Sequence, residues 1–455
     1  MALTYPQALE YLNSLINYEV RQPAAYTPAL ISLDRPRALL AALGDPQERY
    51  PTIHVAGTKG KGSTSAMCAS ILRAAGYKVG FYLSPHLQDF RERFRVDDAL
   101  IPPETLAAVV EKIHAHAVPD LTYWEAITAL GFEYFAQEQV DIAVIEVGLG
   151  GRLDATNVLS KPRVSVITSL SYDHVALLGN SIAQIAGEKA GIIKPGVPVV
   201  CAPQPPEALE VITQVAAERG AALTVIGREW RYESGTTQPY RQPFRAGHAA
   251  APLVEYQTPL VGEHQSINAT VALAALEHSG FTIPAQARHD GLARVNWPGR
   301  FEIVNEAPYI ILDSAHNGDS ANRLADTLRA LFPGKRITLI FGALADKDLA
   351  GMFRALLPLT ARLVFVKARS PRAFDPETLR QRARALDYNG PITLATDTTS
   401  ALAKVRAEIA PDGIIVATGS LTVVGELRDV LGLPVARAAY LDHLAAEPPR
   451  FSVEG

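Results

Sequence analysis

The run His54-Val55-Ala56-Gly57-Thr58-Lys59-Gly60-Lys61-Gly62-Ser63-Thr64 brings glycines, lysines and hydroxyls together within a few residues. Such residues belong together where phosphate is bound. Glycines let backbone N–H groups converge on phosphate oxygens, and a following helix adds positive partial charge at its start. On this reading Gly57, Thr58, Lys59, Gly60 and Gly62 wrap the phosphates of ATP. Lys61 meets the β- and γ-phosphates, and Ser63 or Thr64 reaches the accompanying Mg²⁺. The common Walker spacing wants a glycine where Val55 stands, so the loop is a variant of that form. A glycine-rich turn with solvated lysines is the bland alternative, and the strand–loop–helix setting disfavours it.

Other residues carry chemistry less plainly. Glu146 ends an apolar run, where a carboxylate is expensive unless a cation answers it. A strand-end salt bridge would do the same. Asn268 offers a donor and an acceptor, which suits the edge of adenine as well as the start of a helix. Taken singly, His174 reads as a hydrogen-bonded loop residue and Lys189 as a solvated lysine beside an acid.

The elements that must position these residues alternate along the chain. Thr52–Ala56, Val79–Leu83, Ile142–Val147, Val164–Thr168 and Val197–Cys201 are continuous apolar runs, the pattern of parallel strands covered on both faces. Helical periodicity lies between them at Ser65–Ala75, closed by Gly76, and at Trp124–Ala136. Residues 207–259 break the pattern with Arg, Gln, Gly and aromatics and suggest an antiparallel excursion. A helix follows at Ser266–Ser279. Asn296-Trp297-Pro298-Gly299-Arg300 then interrupts, and strands resume at Tyr309–Leu312, Ile337–Phe341, Leu363–Val366, Ile392–Ala395 and Ile414–Ala417. The expected fold is α/β: a doubly wound parallel-sheet ATPase domain with a phosphate loop over residues 1–297, then a smaller Rossmann-like domain over 298–455. Ligands of such sheets bind at the carboxyl ends of the strands.

Composition narrows the partners. With 43 basic and 47 acidic residues the formal charge is −4, which argues against general attraction to nucleic acid. Only Cys68 and Cys201 occur, each in an apolar stretch, which fits a reducing compartment rather than a disulfide framework. Leu9, Leu12, Leu15 and Ile16 make the beginning an amphipathic surface helix without the basic start of a signal peptide. No apolar run approaches the ~20 residues that span a bilayer. A cytoplasmic monomer acting on small molecules, with no membrane partner, is expected; the last dozen residues read as a loose tail.

Several runs in order carry a resemblance. They are the loop itself, Leu83-Ser84-Pro85-His86-Leu87 with Phe90-Arg91-Glu92-Arg93, and Glu146-Val147-Gly148-Leu149-Gly150-Gly151-Arg152-Leu153-Asp154-Ala155-Thr156-Asn157. Asp173-His174, Glu188-Lys189-Ala190-Gly191, His264-Gln265-Ser266-Ile267-Asn268-Ala269, Trp297-Pro298-Gly299-Arg300 and Asp313-Ser314-Ala315-His316-Asn317 follow. The chain resembles the folylpolyglutamate synthase/dihydrofolate synthase branch of the Mur ligases. Lys59 stands where that branch usually has Asn, and Ser314 where it usually has Gly.

The resemblance implies an ATP-dependent acid–amino-acid ligase that joins glutamate to a folate carboxylate, or to dihydropteroate, through an acyl phosphate. It implies two Mg²⁺ ions, one held by Ser84 and Glu146 and a second by His174, and a Lys189 carbamylated by CO₂ beside the second ion. Such a lysine must be partly desolvated, since only its neutral amine attacks CO₂. Asn268 would meet adenine, while Arg300, Asp313 and His316 would meet phosphate, ribose and the γ-phosphate region. Arg152 and Asp154, with Thr122, Tyr123 and Trp124, are the folate candidates; Asp346-Lys347-Asp348 and Ser420 are the glutamate candidates. A cell-wall amino-acid ligase and a nucleotide-dependent binding protein that ligates nothing are the rival readings.

Overall fold

A computed structural model describes residues 3–17 and 32–435; the expected loose tail lies outside them. The described residues fall into two compact units. The first holds those up to His86, then Arg93–Asp97 and Ile101–Trp297; the second holds Leu87–Glu92, Asp98–Leu100 and those from Pro298 on.

The first unit is built on a sheet whose strands run in the order Phe94–Val96, Val79–Tyr82, Ile142–Glu146, Thr52–Ala56, Val164–Ile167, Val199–Cys201, Leu223–Val225. All pair in parallel except Phe94–Val96, which is antiparallel to its neighbour. Thr52–Ala56 and Ile142–Glu146 are buried along their whole length, as continuous apolar runs require. The chain leaves Thr52–Ala56 at the centre and returns at Val79–Tyr82 beyond Ile142–Glu146, so a crevice opens at the carboxyl end of the first strand. The phosphate loop occupies that position. Helices Lys61–Ala74 and Glu263–Glu277 pack into one apolar cluster around Met67, Ile71, Val271 and Leu273.

Three expectations need correction. The helix after the loop starts at Lys61, before Ser65, because Gly60 at φ +90° turns the chain into it. The antiparallel excursion is confined to Trp230–Ser234, Gln242–His248 and Val254–Thr258; the stretch from 207 begins inside helix Pro206–Glu218. Pro206 suits a first helical turn, and Ala208, Ile212 and Ala216 bury one face at a spacing of four. At the beginning, helix Tyr5–Ser14 buries Ala8 and Leu12, while Ile16 lies past its end and is 51% exposed.

The second unit has a sheet ordered Glu302–Glu306, Tyr309–Leu312, Ile414–Thr418, Ile337–Phe341, Thr360–Phe365, Ile392–Leu394. Only the first pair is antiparallel. Helices Gly318–Leu331, Leu349–Leu356, Pro376–Arg384, Thr398–Glu408 and Leu421–Val430 follow the successive parallel strands. The order reverses around Ile414–Thr418, which puts residues 313–317 and 419–420 beside the switch point.

Candidate active site

Close packing of the phosphate loop explains its glycines. A Cβ on Gly57 would lie 1.8 Å from Thr168 Oγ1, and one on Gly60 would lie 2.2 Å from Asn268 Oδ1. Asn268 is thus set against the loop backbone, 5% exposed, with its Nδ2 donating to Gln265 Oε1 at 2.9 Å. The amides of Thr58 and Lys59 both donate to the Ser169 carbonyl, at 3.1 and 3.0 Å. Those two amides are therefore occupied, and the N–H groups left to face phosphate are those of the first helical turn from Lys61. Of the two hydroxyl candidates for Mg²⁺, Ser63 is 6% exposed, while Thr64 is fully buried with no hydrogen-bond partner at Oγ1.

Lys189 arrives from helix Ile182–Ala190, started by the expected Ser181 cap, whose Oγ accepts from the Gln184 amide at 3.2 Å. The lysine is 4% exposed. Burial first, and then the Lys61 charge, pull its amine down to about 7; Lys59 acts in the same direction, and Asp173 and Asp154 oppose it. The amine is half neutral near physiological pH, unlike a solvated lysine.

Glu146, at the end of its strand, is 4% exposed and accepts from the Ser84 amide at 3.4 Å. A hard cation fits this pair: a buried carboxylate beside a hydroxyl side chain suits Mg²⁺, which takes one or two protein ligands and completes its shell with phosphate and water. The second expected ion does not fit. Lys59 Nζ sits 3.0 Å from Asp173 Oδ2, while Asp173 Oδ1 accepts from the His174 amide at 3.0 Å. The His174 imidazole is 3.7 Å from that same oxygen. An ammonium already answers the carboxylate that a second ion would need.

The folate candidates separate. Asp154 caps the turn Ala155–Val158, accepting from the Thr156 amide at 3.0 Å, the Thr156 hydroxyl at 2.5 Å and the Leu149 amide at 2.9 Å. Burial raises its carboxyl despite these bonds. Arg152 is exposed and paired with Glu188 at 2.8 Å. Thr122 is 4% exposed and caps helix Tyr123–Gln137 in a reciprocal pairing with Glu125, so its hydroxyl is occupied. Tyr123 is buried, and the Arg93 guanidinium lies 5.9 Å from its ring centre and 5.6 Å from that of Trp124. Of these three residues, only Trp124 keeps a partly open surface.

Sequence reading missed His54. It stands in the middle of an apolar strand, fully buried, with Nε2 2.9 Å from Thr156 Oγ1. Burial, then the Lys194 charge, lowers it to about 3, so it is neutral and ties the loop strand to the Asp154 turn. Its signal was a polar ring inside Thr-Ile-His-Val-Ala, three positions before Gly57.

In the second unit Asp313 accepts from the Phe301 amide at 2.8 Å and the Ala315 amide at 2.9 Å, with the Arg300 charge nearby. His316 Nδ1 is 3.0 Å from the Ser314 carbonyl. Arg300, Asp313 and His316 thus gather at one strand end. Asp348 and Ser420 are helix caps, accepting from Gly351 and Val423, and Asp346 is paired with Arg372 at 2.9 Å. Their side-chain oxygens already have partners within the unit.

Comparison with known proteins decides the family. Residues 55–276 match the Mur ligase middle domain, and residues 299–421 match the Mur ligase, glutamate ligase domain. A Bacillus subtilis dihydrofolate synthase/folylpolyglutamate synthase is 33% identical over 94% of this chain and 99% of its own length. The chain belongs to the folylpolyglutamate synthase/dihydrofolate synthase family. It is an ATP-dependent ligase of that family, whose members join glutamate to folate. The Escherichia coli FolC protein solved with DHPP and ADP has a TM-score of 0.84 and 33% identity, over 95% of this chain and 98% of that one. A probable bifunctional folylpolyglutamate synthase/dihydropteroate synthase of Haloferax volcanii is 37% identical over 94% of this chain, which spans 50% of that longer protein. Among the described residues, no helix of this ligase is long and apolar enough to cross a membrane.

Proposed function

We propose that this chain adds L-glutamate to a folate carboxylate in the cytoplasm, converting ATP to ADP and phosphate through an acyl phosphate. The observation that carries the reading is the gathering of Lys59, Lys61 and Lys189 at a glycine loop packed on Asn268, in a chain similar end to end to a protein solved with DHPP and ADP.

The carboxylate oxygen of the folate attacks the γ-phosphorus, the bond to the β-phosphate oxygen breaks, and ADP leaves. The α-amine of glutamate then attacks the acyl carbon. The tetrahedral intermediate loses a proton from nitrogen and expels phosphate, leaving an amide. Lys61 neutralises the transferring phosphoryl group, and the first-turn amides orient it. Ser63, Ser84 and Glu146 would hold the Mg²⁺ that accompanies ATP, and the ion would supply charge withdrawal from the phosphate oxygens. Lys189, neutral for half its time near pH 7, takes up CO₂ to give a carbamate and a proton. The new anion lies among Lys59 and Lys61, and this attraction supports it.

Residues 1–297 carry the nucleotide, and 298–455, with Arg300, Asp313 and His316, carry the glutamate-ligase half. Trp124 is the folate contact best supported by exposure, and Asp154 shapes the loop beside it.

The test is ADP release with tetrahydrofolate and then dihydropteroate, each with and without glutamate. Folate labelled with ¹⁸O in the reacting carboxylate should deliver one labelled oxygen to phosphate. ADP release indifferent to glutamate, or phosphate free of label, would defeat the proposal.

A further inference from the structure

We infer that Lys59 is a built-in cation standing in for a second divalent metal between the phosphate loop and the Asp173–His174 segment. The inference rests on the nucleotide reading of the loop given above. Its starting point is the Lys59–Asp173 pair, 3.0 Å apart, with side chains only 12% and 15% exposed. Solvent and salt screen such a pair far less than one at the surface.

Asp173 is fully committed. One carboxylate oxygen faces the ammonium, and the other accepts the His174 amide with the imidazole 3.7 Å away. A divalent ion here would have to displace the ammonium from its carboxylate before gaining that oxygen as a ligand. The charge of Lys61, close enough to act on the same locality, would also repel it. The backbone from which Lys59 projects is fixed, because its amide and that of Thr58 both donate to the Ser169 carbonyl. The side chain delivers one positive charge to a fixed place, where an asparagine would deliver none. A carbamate at Lys189 would be balanced by Lys59 and Lys61 without a second metal.

Metal stoichiometry tests this directly. Mn²⁺ bound per chain is counted by electron paramagnetic resonance, with a non-hydrolysable ATP analogue at saturation. The unmodified enzyme should bind one Mn²⁺, and Lys59→Asn should bind two, because Asp173 and His174 are freed. Lys59→Met, which removes the charge without adding an oxygen ligand, should also bind a second ion, more weakly. Two ions on the unmodified enzyme would overturn the inference, as would one ion on both folded variants. The count on the unmodified enzyme stands even where a variant fails to fold. Glutamate-dependent ADP release in the same preparation reports separately on the ligase reading.

Discussion

A lysine amine held near pH 7 is chemically different from one at the surface, and Lys189 owes that difference to burial and to Lys61. Only the neutral amine attacks CO₂, so carbamate should accumulate as pH rises through about 7. With ¹³C-labelled bicarbonate, a carbamate resonance should grow between mildly acidic and mildly alkaline solution and vanish in Lys189→Ala. That variant should lose activity on the order of a hundredfold, as expected when one preorganised charge is removed from an active site, and recover part of it with formate or acetate. A lysine touching phosphate directly would give lost activity and no rescue, because the added charge has the wrong sign. Absence of both resonance and rescue would remove the carbamate from the mechanism.

At the scale of elements, helix starts carry much of the site's order. Ser181 begins the helix that presents Lys189, and Thr122 begins the helix that presents Trp124. Thr122 was read as a folate contact; its position as a cap, buried and bonded to Glu125, assigns it to the helix. Thr122→Val should therefore cost about 1 kcal/mol of stability, the usual loss for an N-cap. Its KM for folate should stay within about twofold, since no ligand contact is removed. A thermal melt and a folate titration decide the matter: an unchanged melting temperature with a sharply raised KM would return Thr122 to the binding site.

For the molecule as a whole, the buried imidazole of His54 couples stability to pH. Its folded value of about 3 lies below the ordinary 6.5, so between these limits the folded state binds fewer protons than the unfolded chain. Stability is complete above about pH 6.5 and is lost as pH falls toward 3. His54→Gln keeps an amide able to bond Thr156 but cannot titrate, and it should flatten the acid side of the stability curve. Denaturant unfolding from pH 7 to 4 would show this, and equal slopes in both proteins would mean that His54 is not the coupling group. Lys189 acts at the other end: its lowered value makes stability rise from about pH 7 toward 10.5.

The sequence by itself determined the strand–loop–helix unit, the parallel sheets and the family. Continuous apolar runs can be satisfied only by strands buried on both faces, and a glycine-rich turn between strand and helix lets backbone N–H groups converge on phosphate. Local caps such as Ser181 were equally legible, because donor and acceptor lie three residues apart. Only the tertiary structure decided what the charged and polar residues do. Lys59 meets Asp173 across 114 positions and His54 meets Thr156 across 102, contacts that no local pattern encodes. Burial, which sets Lys189 apart from any other lysine, arises when helix Ile182–Ala190 packs near the loop. The burial of Thr122 and Tyr123, both read as folate contacts, was out of view for the same reason. Residue type shows what a side chain can bond, but its neighbours decide whether that capacity is left for a ligand.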